Sequence, residues 1–487
     1  MASPNISFDS IPSSIRKPGV YSEINTSLAV RSLPAVTWPT VIVAQKTSAG
    51  TVAQDVLTTV FSDADAQLYF GAGSQAHRMV KACLDANPYI DLDVLPLDDG
   101  TGTPAAGFLL FTGTATASGT VKAYVDNNVG EFAVAVGDTA AVIAVGLYSA
   151  LYENSAGISA TLGSTGACVT LTAKNDGTYG NHTPVSVKVD GVVGIANTTT
   201  LFTGGATDVD VGTATAGHLS YIASAGHKQI IWGQNDATNV AKHKTFIDFV
   251  SNSLEQRPAI GVYGYTDLVG ASAAAKTLAG TTLNHGRSIV AYLPSATTVG
   301  LEASPCYIAA AFGGVLASEE DPARPFNNMA LPGIPAPNAT DRITRTVIED
   351  LLRNGVTPLH VMSGERVGIV RAISTYVTNS AGIADPSLLD ITTIRTLDYV
   401  RQATVTRLSL RFPRNKLSSR TAASVKAEVM DVLYQLESLE ILEQVKENAD
   451  GVIVERDTVD VNRLNVKIPA DVVNGLHVIA ERIDLLL

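Results

Sequence analysis

The sequence predicts a multidomain α/β protein. A mostly parallel α/β sheet domain carries an inserted antiparallel β-rich domain, an α+β C-terminal domain follows, and extended arms form both ends. Three observations predict this. Beyond Gln229, strand starts recur roughly every 30 residues, the size of a βαβ unit. Residues 101–209 change to short alternating runs rich in Gly, Thr, Ala and Val, the pattern of antiparallel strands. The chain's 487 residues exceed what one hydrophobic core serves, and that length suits about three domains.

Residues 1–25 read as an N-terminal arm, with Pro4, Pro12 and Pro18 among scattered apolar residues Ile6, Phe8, Ile11 and Ile15. The sheet domain is assigned to 26–100 and 210–345. It opens with a buried strand, Thr40–Ala44. Ser74 then caps a helix whose apolar positions Ala76, Met79, Val80, Cys83 and Leu84 keep helical spacing, and Asn87-Pro88 stops it. Asp91–Leu97 is the next strand. In the insertion (101–209), strands are expected at Thr120–Val125, Glu131–Val136, Cys168–Ala173 and Val185–Val189, separated by turns at Asp126–Asn128, Asn175–Gly177 and Asp190-Gly191. One helix interrupts them, capped by Asp138, with Val142, Val145, Tyr148 and Tyr152 as its stripe. The α/β alternation then resumes with strands at Gln229–Trp232, Ala259–Tyr263 and Ser288–Leu293. Helices are expected at Asn239–Gln256 (Val240, Ile247, Val250 and Leu254 on one face), Asp267–Leu283 and Ser304–Ser318. Five prolines within 322–337 mark an extended strap.

The C-terminal domain is assigned to 346–472. Just before it, Thr340 caps a helix with Ile343, Val347 and Leu351 inward, ended by Asn354-Gly355. A hairpin about Ser363-Gly364 joins Leu359–Met362 to Val367–Tyr376. Seven arginines follow between Arg371 and Arg420. A helix over Ala422–Lys446 places Val425, Val429, Val432, Leu436 and Leu439 on one stripe, with Glu428, Asp431 and Glu443 largely off it. Strands Val452–Arg456 and Leu464–Ile468 lead to a final segment, 473–487. Leu476, Val478, Ile479, Ala480, Ile483 and Leu485 make that segment apolar and strand-like. A strand end of this kind must fold back or dock on another chain, because left alone it is an aggregating edge.

Composition excludes several classes. Hydrophobic residues make up 46% of the chain and mean hydropathy is +0.19, yet no run of about 18 apolar residues spans a bilayer. No basic segment followed by an apolar one marks a secretory signal. Cys83, Cys168 and Cys306 lack CxxC spacing and read as buried thiols in a reducing compartment. A net charge of −12 argues against nucleic acid as a partner. No arginine lies between Arg78 and Arg257, whereas residues 421–487 carry 13 Asp/Glu against 6 Lys/Arg. The basic and acidic segments either pair internally or match other subunits.

The search for catalytic chemistry returns none. Phe70-Gly-Ala-Gly-Ser74 resembles a phosphate loop but lacks a preceding strand, a third glycine and a Lys-Ser/Thr, so a helix-capping turn is the expectation. His218, His227 and His243 fit no metal spacing. The pairs Asp98-Asp99 and Glu319-Glu320 sit in turn-like contexts. No catalytic residue, cofactor or metal site is expected.

Several fragments, in order and spacing, resemble one family. Phe8–Pro12, Arg16–Tyr21, Phe70–Gln75, Leu95–Asp99, Thr172–Gly177 with Gly180-Asn181, Asn462–Val466, Pro469–Asn474 and Leu476–Ala480 are similar to the contractile tail sheath proteins of Mu-like bacteriophages. The resemblance runs nearly end to end. It implies a non-enzymatic virion subunit, assembled in the host cytoplasm, that stacks as six-membered rings around a tail tube and contracts to drive that tube through the host envelope. It implies 101–209 as an outer domain and 346–472 as the inner assembly domain. It also implies 1–25 and 473–487 as strands lent to neighbours. Partners are then further copies of the chain, the tube protein, the baseplate and the tail terminator, without membrane insertion. Glu428, Asp431, Glu440 and Glu443 become the expected tube contact. Alternatives are a phage-derived contractile injection particle, an α/β nucleotide-binding enzyme using Gly71–Ser74, and an adhesin with 101–209 as its binding head.

Overall fold

The computed structural model describes residues 16–22, 33, 37–151, 157–163, 166–268, 272–295 and 299–485. The chain divides into a larger unit, residues 36–398 with 474–487, and a smaller one, residues 1–35 with 399–473.

The larger unit is built on eight strands. These are β1 (Thr40–Gln45), β2 (Thr58–Thr59), β3 (Leu92–Leu97), β11 (Gln229–Trp232), β12 (Ile260–Leu268), β13 (Ser288–Ser295), β14 (Thr357–Met362) and β15 (Arg366–Ile369). Their order is β15-β14-β13-β12-β11-β1-β3-β2. The interior pairs from β3 to β14 are parallel, and only the edge strands β2 and β15 run antiparallel. Strand alternation sorts side chains to two faces. Ile42 and Ala44 join a core with α2 (Gln75–Ala86) and α6 (Pro305–Ser318). Val41 and Val43 join a second core with α4 (Ala237–Ser251) and α7 (Arg345–Arg353). Both faces are covered, so the central strands are apolar along their whole length.

The insertion forms two small antiparallel sheets. One has the order β10-β4-β8-β7, from Val193–Thr203, Ala106–Ala117, Cys168–Ala173 and Ile158–Leu162; the other is β6-β5-β9, from Asn128–Val134, Gly119–Val125 and Val185–Asp190. Helix α3 (Ala140–Ala150) packs on them, but not with the expected stripe. Ile143, Ala144 and Leu147 are buried, whereas Val142, Val145 and Tyr148 are exposed; Tyr152 lies outside the described residues. This helix is apolar all round, so periodicity sets no unique phase. Gly146 helps to set it: a Cβ there would sit 2.1 Å from the Phe132 ring.

Buried polar groups tie the insertion to the sheet domain. Asp126, in the β5–β6 turn at φ 51°, forms an ion pair with Arg78 of α2 and accepts from the Ser304 backbone N–H at 2.8 Å. Arg78 and Asp126 are both almost fully buried.

Several boundaries differ from expectation. The helix expected from Asn239 to Gln256 stops at Ser251, leaving Leu254 at 88% exposure. The segment Asp267–Leu283 begins as the end of β12 and becomes helical only as α5 (Ala273–Lys276), which runs into a π-turn, Thr277–Leu283. Thr344, not Thr340, precedes α7. The sheet does not end at 345, because β14 and β15 are its last strands. A 21-residue helix, α8 (Ile391–Arg411), fills the arginine-rich stretch where no element was expected.

In the smaller unit, α9 (Ser419–Ser438) starts with a capping box between Ser418 and Thr421. Val425, Val429, Val432 and Leu436 are buried as the stripe predicts, but Leu439 is exposed and the helix ends eight residues before Lys446. Glu440 adopts φ 56°, Ile441 N–H bonds the Leu436 carbonyl and Glu440 N–H the Glu437 carbonyl. That is a Schellman stop with glutamate in the position glycine usually takes. The hairpin β16–β17 (Ile453–Arg456, Leu464–Lys467) completes the unit. Its turn is held by Asp457, which accepts from Val459 N, Asp460 N and Asn465 Nδ2 at 2.8–2.9 Å, bonds that hold its carboxyl down to about 2.

Candidate assembly surfaces

The C-terminal segment is where the structure departs most from an ordinary globule. Leu476, Val478, Ile479, Ile483 and Leu485 are 70–85% exposed, Ala480 is exposed too, and none of them lies in a strand. In an extended chain, Ile479, Ile483 and Leu485 share one side. Exposed β-branched residues on an unpaired extended backbone are the two requirements for adding a strand to another sheet. Among the described residues, the hairpin β16–β17 is a sheet of two strands, marginal by itself. The N-terminal candidates Ile6, Phe8, Ile11 and Ile15 lie outside the described residues.

The acidic candidates divide into two pairs. Arg407 of α8, 5% exposed, reaches Asp431 at 2.8 Å and Glu428 at 3.2 Å, and Arg411 lies 3.5 Å from Glu428. The basic and acidic segments therefore pair internally here, clamping α8 to α9. Asp431 keeps much of its surface in solvent, with its side chain 45% exposed. Glu440 is exposed in the turn after α9 and Glu443 is half-buried beyond it, where its N–H bonds the Asp471 carbonyl.

Gly71–Ser74 precedes α2, and Ser74 Oγ accepts from His77 N at 3.1 Å. Gly71 sits at φ 87°, and a Cβ there would meet Thr47 Oγ1 at 2.0 Å. The N-terminus of α2 is occupied from within: Gln75 N donates to Asn175 Oδ1 at 2.9 Å, and Asn175 Nδ2 bonds Lys46 O and Asp99 Oδ1. Lys46 follows β1, Asp99 follows β3, and Gln75 Nε2 donates to the Gly233 carbonyl just after β11 at 2.8 Å, so the cluster sits where strand order reverses and α/β enzymes bind ligands. In this chain the insertion's own turn plugs that crevice.

The remaining candidates are structural. His218 pairs with Asp55 and His227 with Asp93, while His243 stacks on Trp232 at 3.7 Å. Among the described residues, no group of three His, Cys, Asp or Glu could hold a metal ion. Cys83 and Cys306 are buried and Cys168 half-buried, all unpaired; burial pushes the Cys83 thiol up to about 12. Arg395 is fully buried, 3.9 Å from the Trp38 ring and donating to the Glu319 carbonyl at 2.6 Å, and burial lowers its pKa to about 9.

Two family models match this chain: the phage tail sheath protein central domain over residues 219–375 and the phage tail sheath C-terminal domain over 384–485. The Mu-like prophage FluMu tail sheath protein of Haemophilus influenzae is 29% identical over 505 residues, covering 99% of this chain and 100% of that one. The chain belongs to the phage tail sheath family.

Solved sheath structures share its fold. A sheath tail protein of Desulfitobacterium hafniense matches with a TM-score of 0.50 at 14% identity, over 94% of this chain and 97% of that one. The sheath of an extracellular contractile injection system, PVC, in its contracted state matches at 0.52 and 12%, over 97% and 98%. The relatives of this sheath chain are structural tail proteins, not enzymes.

Proposed function

We propose that this chain is the subunit of a contractile phage tail sheath, stacked as six-membered rings around a tail tube and held together by strands lent between subunits. The observation that carries this reading is the exposed apolar segment from Val478 to Leu485, which joins no strand, in a chain whose described residues also hold a two-stranded sheet with room for more strands. Lent strands supply a link that survives contraction, because backbone hydrogen bonds at about 1 kcal/mol each and apolar burial act together. The N-terminal arm with Ile6, Phe8, Ile11 and Ile15 is proposed as the second lent strand. Contraction would drive the tube through the host envelope, with a baseplate at one end of the sheath and a terminator at the other.

The tube contact must hold register and release. Exposed ion pairs worth about 0.2 to 1 kcal/mol each suit that task. Glu440 and Glu443, with the solvent-facing part of Asp431, are the proposed contact with a basic tube surface; Glu428 contributes through its clamp on Arg407 and Arg411. The fold is equally that of the sheaths of injection systems, so a phage-derived particle is the second reading. Deleting residues 476–487 tests the linking role: the protein should stay soluble and folded but form no ordered sheath by electron microscopy. Long ordered sheaths from the truncated chain would overturn it.

A further inference from the structure

The tail is not free along its whole length. Gly475 packs on Pro325, and a Cβ there would lie 3.1 Å from the proline Cβ. Leu476 points outward at 70% exposure, but its carbonyl faces the Asn327 amide, with Nδ2 at 3.4 Å. His477 turns inward. Its Nδ1 lies 3.0 to 3.1 Å from the Asn327 side-chain amide atoms, and its Nε2 is 3.4 Å from Asp390 Oδ1. Its side chain is only 14% exposed, between neighbours at 70% and 77%. Asp390 is itself fixed, gripped by Arg371 through two hydrogen bonds of 2.8 and 2.7 Å. From Val478 to Leu485 every residue is exposed, and Arg482 pairs locally with Asp484.

We propose that Gly475–His477 is the pivot of the lent strand, and that His477 is the positioning residue that fixes where and in which direction the strand leaves its subunit. This rests on the strand-lending reading. The free arm is then the ten residues from Val478, about 33 Å when extended, shorter than the segment that leaves the preceding domain. A fixed root narrows the positions the tip samples and so raises its effective concentration at one neighbouring site rather than several. The Pro-rich strap gains a role: Pro325 and Asn327 form the seat of the pivot.

The test uses the full-length protein with His477→Ala and, separately, Asn327→Ala. Backbone nitrogen-15 order parameters are measured on the unassembled chain and helical order on its polymers. Both variants should keep the wild-type melting temperature, lower the order parameters of residues 475–477 from about 0.85 to about 0.6 or less, and form polymers that are fewer and irregular. His477→Gln, which retains a hydrogen-bonding group, should restore part of the order. Unchanged order parameters at 475–477 would overturn the pivot. Lowered order parameters with polymers as regular as wild type would overturn the positioning role. If those polymers formed while the 476–487 deletion formed none, the pivot would fail and strand lending would stand. If the deletion polymerised normally, strand lending itself would fail.

Discussion

Consider replacing Ile479 and Ile483 with threonine. Both residues are over 80% exposed in the isolated chain, so neither contributes apolar burial to its own fold. Threonine keeps the β-branch, hence the extended backbone preference, and replaces an ethyl-sized apolar group with a hydroxyl. If both side chains become buried in a neighbour's sheet, each substitution costs about 2 kcal/mol of association. Together they cost about 4 kcal/mol, roughly a thousandfold in the affinity of one strand for its site. Two measurements separate the outcomes. Differential scanning calorimetry of the unassembled protein should give an unchanged melting temperature. Sedimentation should show the concentration needed for polymerisation rising by orders of magnitude. The reasoning is refuted if the melting temperature falls while polymerisation is untouched, because the tail would then pack on its own body.

Two further predictions concern other parts of the chain. Glu440→Lys with Glu443→Lys leaves the Arg407 clamp intact, unlike reversal of Glu428 or Asp431, which would set a lysine beside buried Arg407. It should give sheaths that polymerise alone but fail to load on tubes, read by co-sedimentation with tubes; normal loading would remove these residues from the contact. The second concerns pH. Burial holds the His243 pKa well below its usual 6.5, so the folded chain refuses a proton that the unfolded chain accepts. Stability from this group is full above about pH 6.5 and is lost as pH falls toward the depressed folded value. His243→Phe keeps a ring on Trp232 and removes two buried nitrogens without partners. It should flatten the loss of stability between pH 7.5 and 5.5 in urea titrations; an unchanged slope would assign that loss elsewhere.

The central strands were legible because both faces of the sheet are covered, leaving short β-branched runs bounded by turn residues. Helix α8 was not. Its buried positions include Ile391, Ile394, Arg395, Tyr399, Val400, Ala403, Thr404 and Arg407. That spacing is helical, but arginine and threonine occupy part of it, so apolar periodicity is hidden. Arg395 is inside because the Trp38 and Phe326 rings and the Glu319 carbonyl receive it, and Arg407 because the Glu428 and Asp431 carboxylates do. Both partnerships are tertiary. The end of α9 was missed for a related reason: the left-handed stop uses Glu440, and no glycine announces it. The apolar tail was legible as an apolar segment, and the structure leaves it exposed and outside any strand. Its pivot was not, since His477 gains meaning only beside Asn327 and Asp390, residues distant in sequence.

The most direct measurement is a cryo-electron microscopy map of the assembled polymer in which residues 474–487 can be traced. The account predicts that the chain from Val478 crosses to an adjoining copy and continues its β16–β17 hairpin as an added strand. A trace in which those residues fold back against the subunit they belong to would contradict it.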